Sequence, residues 1–209
     1  MNATGTRKAE DGRLVAERRA FLALVKEAAI LASPAEIAAR VVAVAGHLSG
    51  CAAVAVRLKA GPDFPYAAAQ GFPDTFLSLE SRLCLEDEGG HLVRDPFRNP
   101  VLACMCGAVL AGCVHPGRPF FTEGGAFWTN RTSRLLGETD PEAFPCATRN
   151  RCHTAGYESV GLFPIRLEGV TYGLIQCNDP RPDRFTPEGL ALLEELAMGT
   201  AQLLQQAMA

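Results

Sequence analysis

From Ser33 onward the apolar positions fall at helical steps: Ile37, Val41, Val42, Val44 and Ala45 share one face. Ser33-Pro34-Ala35-Glu36 in front of them supplies an N-cap hydroxyl, a first-turn proline and a capping-box glutamate, and Gly50 supplies a stop. A similar amphipathic helix is expected over residues 13–31, where Leu14, Phe21, Leu22, Val25, Ala28 and Ala29 alternate with charged residues. Residues 51–58 are short, apolar and β-rich, and read as a core strand. Gly61-Pro62 turns the chain, and Tyr66–Gln70 reads as the partner strand. Near the other end, Ser159–Leu167 and residues 170–178 read as two strands joined at Glu168-Gly169. Thr186-Pro187-Glu188 then opens a long helix with Leu190, Leu193, Leu196, Ala197, Leu203 and Leu204 on one side.

The middle, from about Leu77 to Tyr157, lacks a clean period. A helix is expected from Asn99-Pro100 to Gly112, an extended piece at Pro119-Phe120-Phe121-Thr122, a hinge at Gly124-Gly125, and a helix from Thr129 to Gly137. Strands at both ends with an irregular insertion between them predict an α+β fold. It has one antiparallel sheet, N- and C-terminal helices on one face, and the irregular segment covering the other. Met1 to Gly12 reads as a flexible tail, and residues 13–209 as a single domain.

Composition narrows the class. The chain has 209 residues, is 48% hydrophobic and carries a net charge of −3, which excludes wholesale disorder and argues against a basic nucleic-acid binder. No apolar run is long enough for a membrane span, and the polar N-terminus lacks a signal-peptide core, so a cytoplasmic location is expected. The eight cysteines are then expected to be mostly thiols. Five of them, Cys104, Cys106, Cys113, Cys146 and Cys152, crowd into one stretch. Cys104-Met105-Cys106 cannot direct both thiols at one point from within a regular helix, because residues two apart point about 200° apart. From a helix start or a loop they can. With Cys113, Cys152 and His153 they form a metal or redox candidate set, and thiolate with imidazole suits zinc, iron or haem iron. The spacing matches no standard zinc signature, and plain core packing by small cysteines is the competing reading. Arg149 and Arg151 flank Cys152 and could lower its pKa or receive an anion. Phe120 and Trp128, with Tyr157, are candidates for the wall of a ligand pocket.

The segments Tyr157-Glu158-Ser159-Val160-Gly161-Leu162-Phe163-Pro164-Ile165-Arg166, Val170-Thr171-Tyr172-Gly173-Leu174-Ile175-Gln176-Cys177-Asn178 and Phe185-Thr186-Pro187-Glu188 resemble the closing hairpin and helix of a GAF domain. Gln70-Gly71-Phe72-Pro73 and Cys106-Gly107-Ala108-Val109-Leu110-Ala111-Gly112, followed by Pro116-Gly117-Arg118-Pro119-Phe120, are similar to earlier family segments, the last being the strand after the middle helix. Phe121 to Asn130 and Arg149 to Cys152 look like GAF domains found beside PAS domains in prokaryotic histidine kinases. The resemblance implies a sensory domain that binds a small ligand or carries a cysteine-based redox or metal centre. It also implies a homodimer through the terminal helices, with a seam at Leu193, Leu196, Thr200, Leu203 and Ala207, and a histidine kinase or other signalling protein as partner. A second implication is the free methionine-(R)-sulfoxide reductases, GAF domains that act through cysteines. There Cys152 would attack the sulfoxide sulfur, and Cys104 or Cys106 would resolve the resulting sulfenic acid as a disulfide. His153 departs from that pattern, in which an aspartate follows the cysteine. A ligandless dimerisation module is the third reading.

Overall fold

The computed structural model describes residues 33–208. The expected tail and the expected helix over 13–31 lie outside the described residues. Helix α1 (Pro34–Ser49) begins as its capping signals require: the Ser33 hydroxyl accepts from the Glu36 N–H and donates to the Glu36 carboxylate, and Gly50 closes the helix in the left-handed conformation. Strands β1 (Ala53–Leu58) and β2 (Tyr66–Gln70) follow, then α2 (Asp74–Glu80), α3 (Cys104–Ala111), β3 (Phe127–Thr129), α4 (Thr132–Glu138), a 3-10 turn at Pro141–Ala143 and the single-turn α5 (Arg151–Thr154). Strands β4 (Ser159–Leu167) and β5 (Val170–Asp179) and the long helix α6 (Pro187–Ala207) complete the chain.

The five strands form one antiparallel sheet in the order β2-β1-β5-β4-β3. Glu168 and Gly169 both have positive φ (50° and 79°), the turn that matches the twist of a two-residue hairpin. Strand alternation then sorts the side chains. Val54, Val56, Phe163, Ile165, Ile175 and Cys177 face α1 and α6 and make one core layer. Ala53, Ala55, Val160, Leu162 and Leu174 face the middle segment and make a second layer with α2 and α3. The α+β architecture with its helices on one face and a covering segment on the other is therefore the expected one.

The middle differs in detail. The extended piece expected at 119–122 is a turn joined to the sheet by one bridge, Phe121 to Phe127, and the strand lies later, at Phe127–Thr129. Thr129 ends that strand, and α4 starts at Thr132. The helix expected from Asn99 starts only at Cys104, because residues 84–102 fold into an irregular arm bridged at Cys84–Leu102, Glu86–Leu92 and Arg94–Pro100. Of the residues expected at a seam between two chains, Leu193, Leu196, Thr200 and Leu203 are buried within the chain itself, against the sheet and α1, and Ala207 is exposed.

The far end of β5 is held by Asp179. Its carboxylate has no exposed surface and accepts from the Ala52 N–H (2.8 Å) and from the Arg181 backbone and guanidinium (2.8–2.9 Å). The Arg181 guanidinium bond is the main reason its carboxyl sits at about 2. A carboxyl lowered on folding contributes stability above its ordinary value of 3.8 and loses it as pH falls toward 2. Urea-unfolding midpoints should therefore fall between pH 4 and 2 in the wild type. The fall should be shallower in Asp179→Asn, which starts from a lower midpoint at pH 7.

Candidate functional site

The second layer carries polar groups where a strand facing an apolar lid would ordinarily carry valine or leucine. Arg57, Gln176 and Asn178 all point from the sheet toward the middle segment, and none has more than 1% of its surface exposed. Each is held by a specific partner. Arg57 donates to the carbonyls of Phe64 (2.9 Å), Ser81 (3.1 Å) and Glu80, and its guanidinium lies 3.7 Å from the Tyr66 ring centre. The Tyr66 hydroxyl donates to Gln176 Oε1 (3.2 Å), and burial holds that phenol protonated, well above its usual range. With Oε1 occupied, Gln176 turns Nε2 toward Asn178 Oδ1 (3.3 Å) and the Cys152 sulfur (3.8 Å).

Cys152 is fixed from the other side as well. Its helix α5 is tied to α2 by Glu80, whose buried carboxylate accepts from Arg151 Nε (2.8 Å) and Arg149 Nη1 (3.5 Å); Arg149 also donates to the Arg82 carbonyl (3.0 Å). The two arginines that flank Cys152 in sequence thus serve Glu80 and a main-chain carbonyl. Nearby, Thr132 donates its only hydroxyl proton to the Tyr157 carbonyl (2.6 Å), so at 3.0 Å it accepts from His153 Nδ1. That contact sets the tautomer: Nδ1 carries the proton.

Between α3, α4, α5 and the sheet lies a cavity of about 60 Å³, almost wholly apolar, lined by Cys104, Cys106, Phe127, Leu135, Phe144 and Cys152, with Arg151 and His153 also at its wall. Cys104 has φ 66° at the first position of α3. This left-handed residue breaks the helical phase, so Cys104 and Cys106 both reach the cavity despite their spacing. A non-glycine residue held so costs about 1–2 kcal/mol, supplied by the surrounding packing.

The remaining sequence candidates lie elsewhere. Phe120 and Trp128 line a separate open cleft of about 420 Å³ beside β3. Tyr157 is buried edge-on against Phe72 and Phe76. Cys113 is exposed just beyond the end of α3. No group of three or more Cys, His, Asp or Glu among the described residues is placed to hold a metal ion. The soft residues share a cavity wall without converging on a point, and they do not fit a metal centre. A volume of about 60 Å³ is also far below the roughly 300–1,000 Å³ of ordinary small-molecule pockets, so a haem does not fit this conformation. Glu80, Arg57, Gln176 and Asn178 were not singled out in the sequence. For the three on strands the signal was present: charged or amide residues at inward positions of apolar strands are seldom buried without a partner; Glu80, at the end of α2, carried no such signal.

With this geometry in place, the comparisons with known proteins are specific about family. The model of the GAF domain matches residues 33–204. The chain belongs to the GAF family. No curated protein matches it by sequence. Among solved structures, the GAF domain of a phosphoenolpyruvate-protein phosphotransferase from Coxiella burnetii is 13% identical with a TM-score of 0.62, covering 93% of this chain and 96% of that one. The free methionine-R-sulfoxide reductase of Neisseria meningitidis, in complex with its substrate, is 14% identical with a TM-score of 0.59, covering 94% and 92%. The GAF domain of a protein described as a sensor histidine kinase of Pseudomonas syringae pv. tomato is 14% identical with a TM-score of 0.55, covering 98% and 93%. At such identities the likeness establishes the fold alone. Among the described residues of this GAF domain, no helix is long and apolar enough to cross a membrane.

The electrostatics of the thiols follow from the cavity. Burial pushes the Cys152 thiol up to about 12; the Asn178 amide opposes this, Cys104 and Glu80 reinforce it, and Arg57 opposes it weakly. Burial holds Cys106 well above the ordinary thiol value too. Both are protonated at neutral pH. Alkylation of Cys152 by iodoacetamide, followed by peptide mass mapping, should therefore accelerate about tenfold per pH unit from 7 to 10. A plateau near pH 9 would show an ordinary thiol.

Proposed function

We propose that this GAF domain is a sensory module whose input is the redox state of the thiols around the small cavity. The observation that carries the reading is that Cys104, Cys106 and Cys152 line one small, nearly apolar cavity. The input reaction is two-electron oxidation of Cys152 by a hydroperoxide, followed by attack of the Cys104 or Cys106 thiol to give a disulfide and water. A neutral disulfide suits an apolar cavity better than any thiolate does. Its formation would draw α5 toward α3 and load the Arg151–Glu80 pair, so the covering segment is the part that responds. The output would pass to a signalling partner such as a histidine kinase; GAF domains of proteins described as sensor histidine kinases share the fold.

Hydrogen peroxide added to the reduced protein should remove two hydrogens from the intact mass, and peptide mapping should place the bridge between Cys152 and Cys104 or Cys106. Cys152→Ser should abolish the bridge, whereas Cys51→Ser should leave it. A protein that keeps all its thiols under peroxide, or bridges only elsewhere, would overturn the reading.

A second reading has its own support: the structural likeness to the Neisseria reductase together with a cysteine at the start of α3 and another at Cys152. It requires catalytic consumption of free methionine sulfoxide. Sulfoxide-dependent oxidation of reduced thioredoxin that disappears in Cys152→Ser would establish it in place of sensing.

A further inference from the structure

The environment of the Cys152 sulfur is one-sided. Gln176 Nε2 faces it at 3.8 Å, and Asn178 stands beside it. The two amides follow one another. The Tyr66 hydroxyl donates to Gln176 Oε1, so Nε2 faces away from it; Nε2 donates to Asn178 Oδ1, so the Asn178 nitrogen is the end left over. Asn178 has no exposed surface, and its Nδ2 has no hydrogen-bond partner among the described residues. A buried N–H without an acceptor carries its full desolvation cost. Two amide donors thus converge near one sulfur; Asn178 Nδ2 makes no well-formed hydrogen bond there, though its nearness already favours the Cys152 thiolate.

We infer that Asn178 and Gln176 form a two-donor cradle for an oxygen atom bonded to the Cys152 sulfur, making Cys152 a site of sulfenic acid formation. The inference rests on the redox reading above and names the positioning residues of that site. The oxidant is a hydroperoxide small enough for the cavity. The sulfur attacks the distal peroxide oxygen, the O–O bond breaks and the S–O bond forms. The thiol proton leaves with the alcohol or water produced; sulfur loses two electrons and the peroxide gains them. The oxygen left on sulfur accepts from Asn178 Nδ2 and Gln176 Nε2, which gives Nδ2 a well-formed acceptor. A neighbouring thiol then attacks this sulfur, the S–S bond forms, and the hydroxyl departs as water with the attacking thiol's proton. Charge in this step collects on the departing oxygen, so the two donors act on the transferred oxygen by holding it in line with the sulfur and by stabilising the S–O product.

The test separates the oxygen from the thiol. In a Cys104→Ser, Cys106→Ser background the sulfenic acid cannot drain into a disulfide with those residues, and dimedone labelling of Cys152 reports it. Two rates are measured for Cys152: oxidation by hydrogen peroxide and alkylation by iodoacetamide. Alkylation needs the same thiolate but bonds carbon rather than oxygen to the sulfur. Asn178→Leu, of similar size with no donor, should lower the ratio of peroxide to iodoacetamide rates at least about tenfold. Asn178→Asp, which presents acceptors to the oxygen, should lower it further, and serves if the leucine variant does not fold. A structural change would move both rates together and leave the ratio unchanged; an unchanged ratio in the folded variants overturns the cradle while the redox reading stands. If Cys152 in the background protein takes no oxygen from peroxide at all, both fail.

Discussion

A guanidinium with no exposed surface decides how the covering layer sits on the sheet. Arg57 occupies an inward position of β1, where a leucine would suit the apolar layer. A bare buried cation would cost several kcal/mol. Here it is met by the last carbonyls of α2, the Phe64 carbonyl and the face of Tyr66. The C-terminal end of a helix is its electronegative end, so the cation and α2 fix each other. This leaves the Glu80 side chain free of Arg57, and it turns to Arg151 and Arg149. The strand, α2 and α5 are thus linked by two residues. Tyr66, stacked on the same guanidinium, sets Gln176, and Gln176 meets the sulfur that α5 delivers. The path closes on itself at Cys152, and the sulfur is positioned from both directions.

The chemistry of the cavity is governed by what burial penalises. It disfavours the thiolate and leaves the thiol and disulfide nearly untouched, since neither is charged. Thiol reactions through the thiolate are therefore slow at neutral pH. The same fact strengthens a disulfide once it exists, because no stabilised thiolate favours the reduced form. Such a pair behaves as a latch that is slow to set and slow to release. This is a poor design for rapid turnover, in which a thiolate must be regenerated in every cycle, and a serviceable one for recording an oxidative event. Burial of the thiols thus weighs against the reductase reading independently of any sequence pattern.

The outer parts of this fold were legible because they obey one period at a time. Capping residues, an unbroken helical stripe and two alternating strands around Glu168-Gly169 leave few alternatives, and α1, β4, β5 and α6 lie where those signals put them. The middle was less legible for physical reasons. β3 has only three residues and follows a glycine-rich turn, too short for alternation to emerge. Residues 99–103 carry helix-compatible composition, but their backbone groups pair with the arm before them. The left-handed Cys104 has no local signature, because nothing but tertiary packing holds a cysteine there. Trp128 parts from the neighbouring phenylalanines because adjacent strand residues face opposite ways: Phe127 packs with Phe120 and Phe121 in the cavity layer, whereas Trp128 packs toward the helices.

That same alternation joins the site to the helices. On β5, Gln176 and Asn178 face the thiols, while Ile175 and Cys177, one residue away on the same backbone, lie under α1 and α6. Both layers are close-packed, and β5 is bonded on both edges, to β1 and β4. A strand so held cannot relax toward one layer without shifting the residues that face the other. An event at the sulfur that draws on the Gln176 or Asn178 amide therefore pulls on the backbone that seats the helix layer. The face of α6 that would report it is already engaged there: Leu193 and Leu196 have no exposed surface. On the proposed redox reading, a signal would run through the sheet to the helix packed on it, across the thickness of one strand.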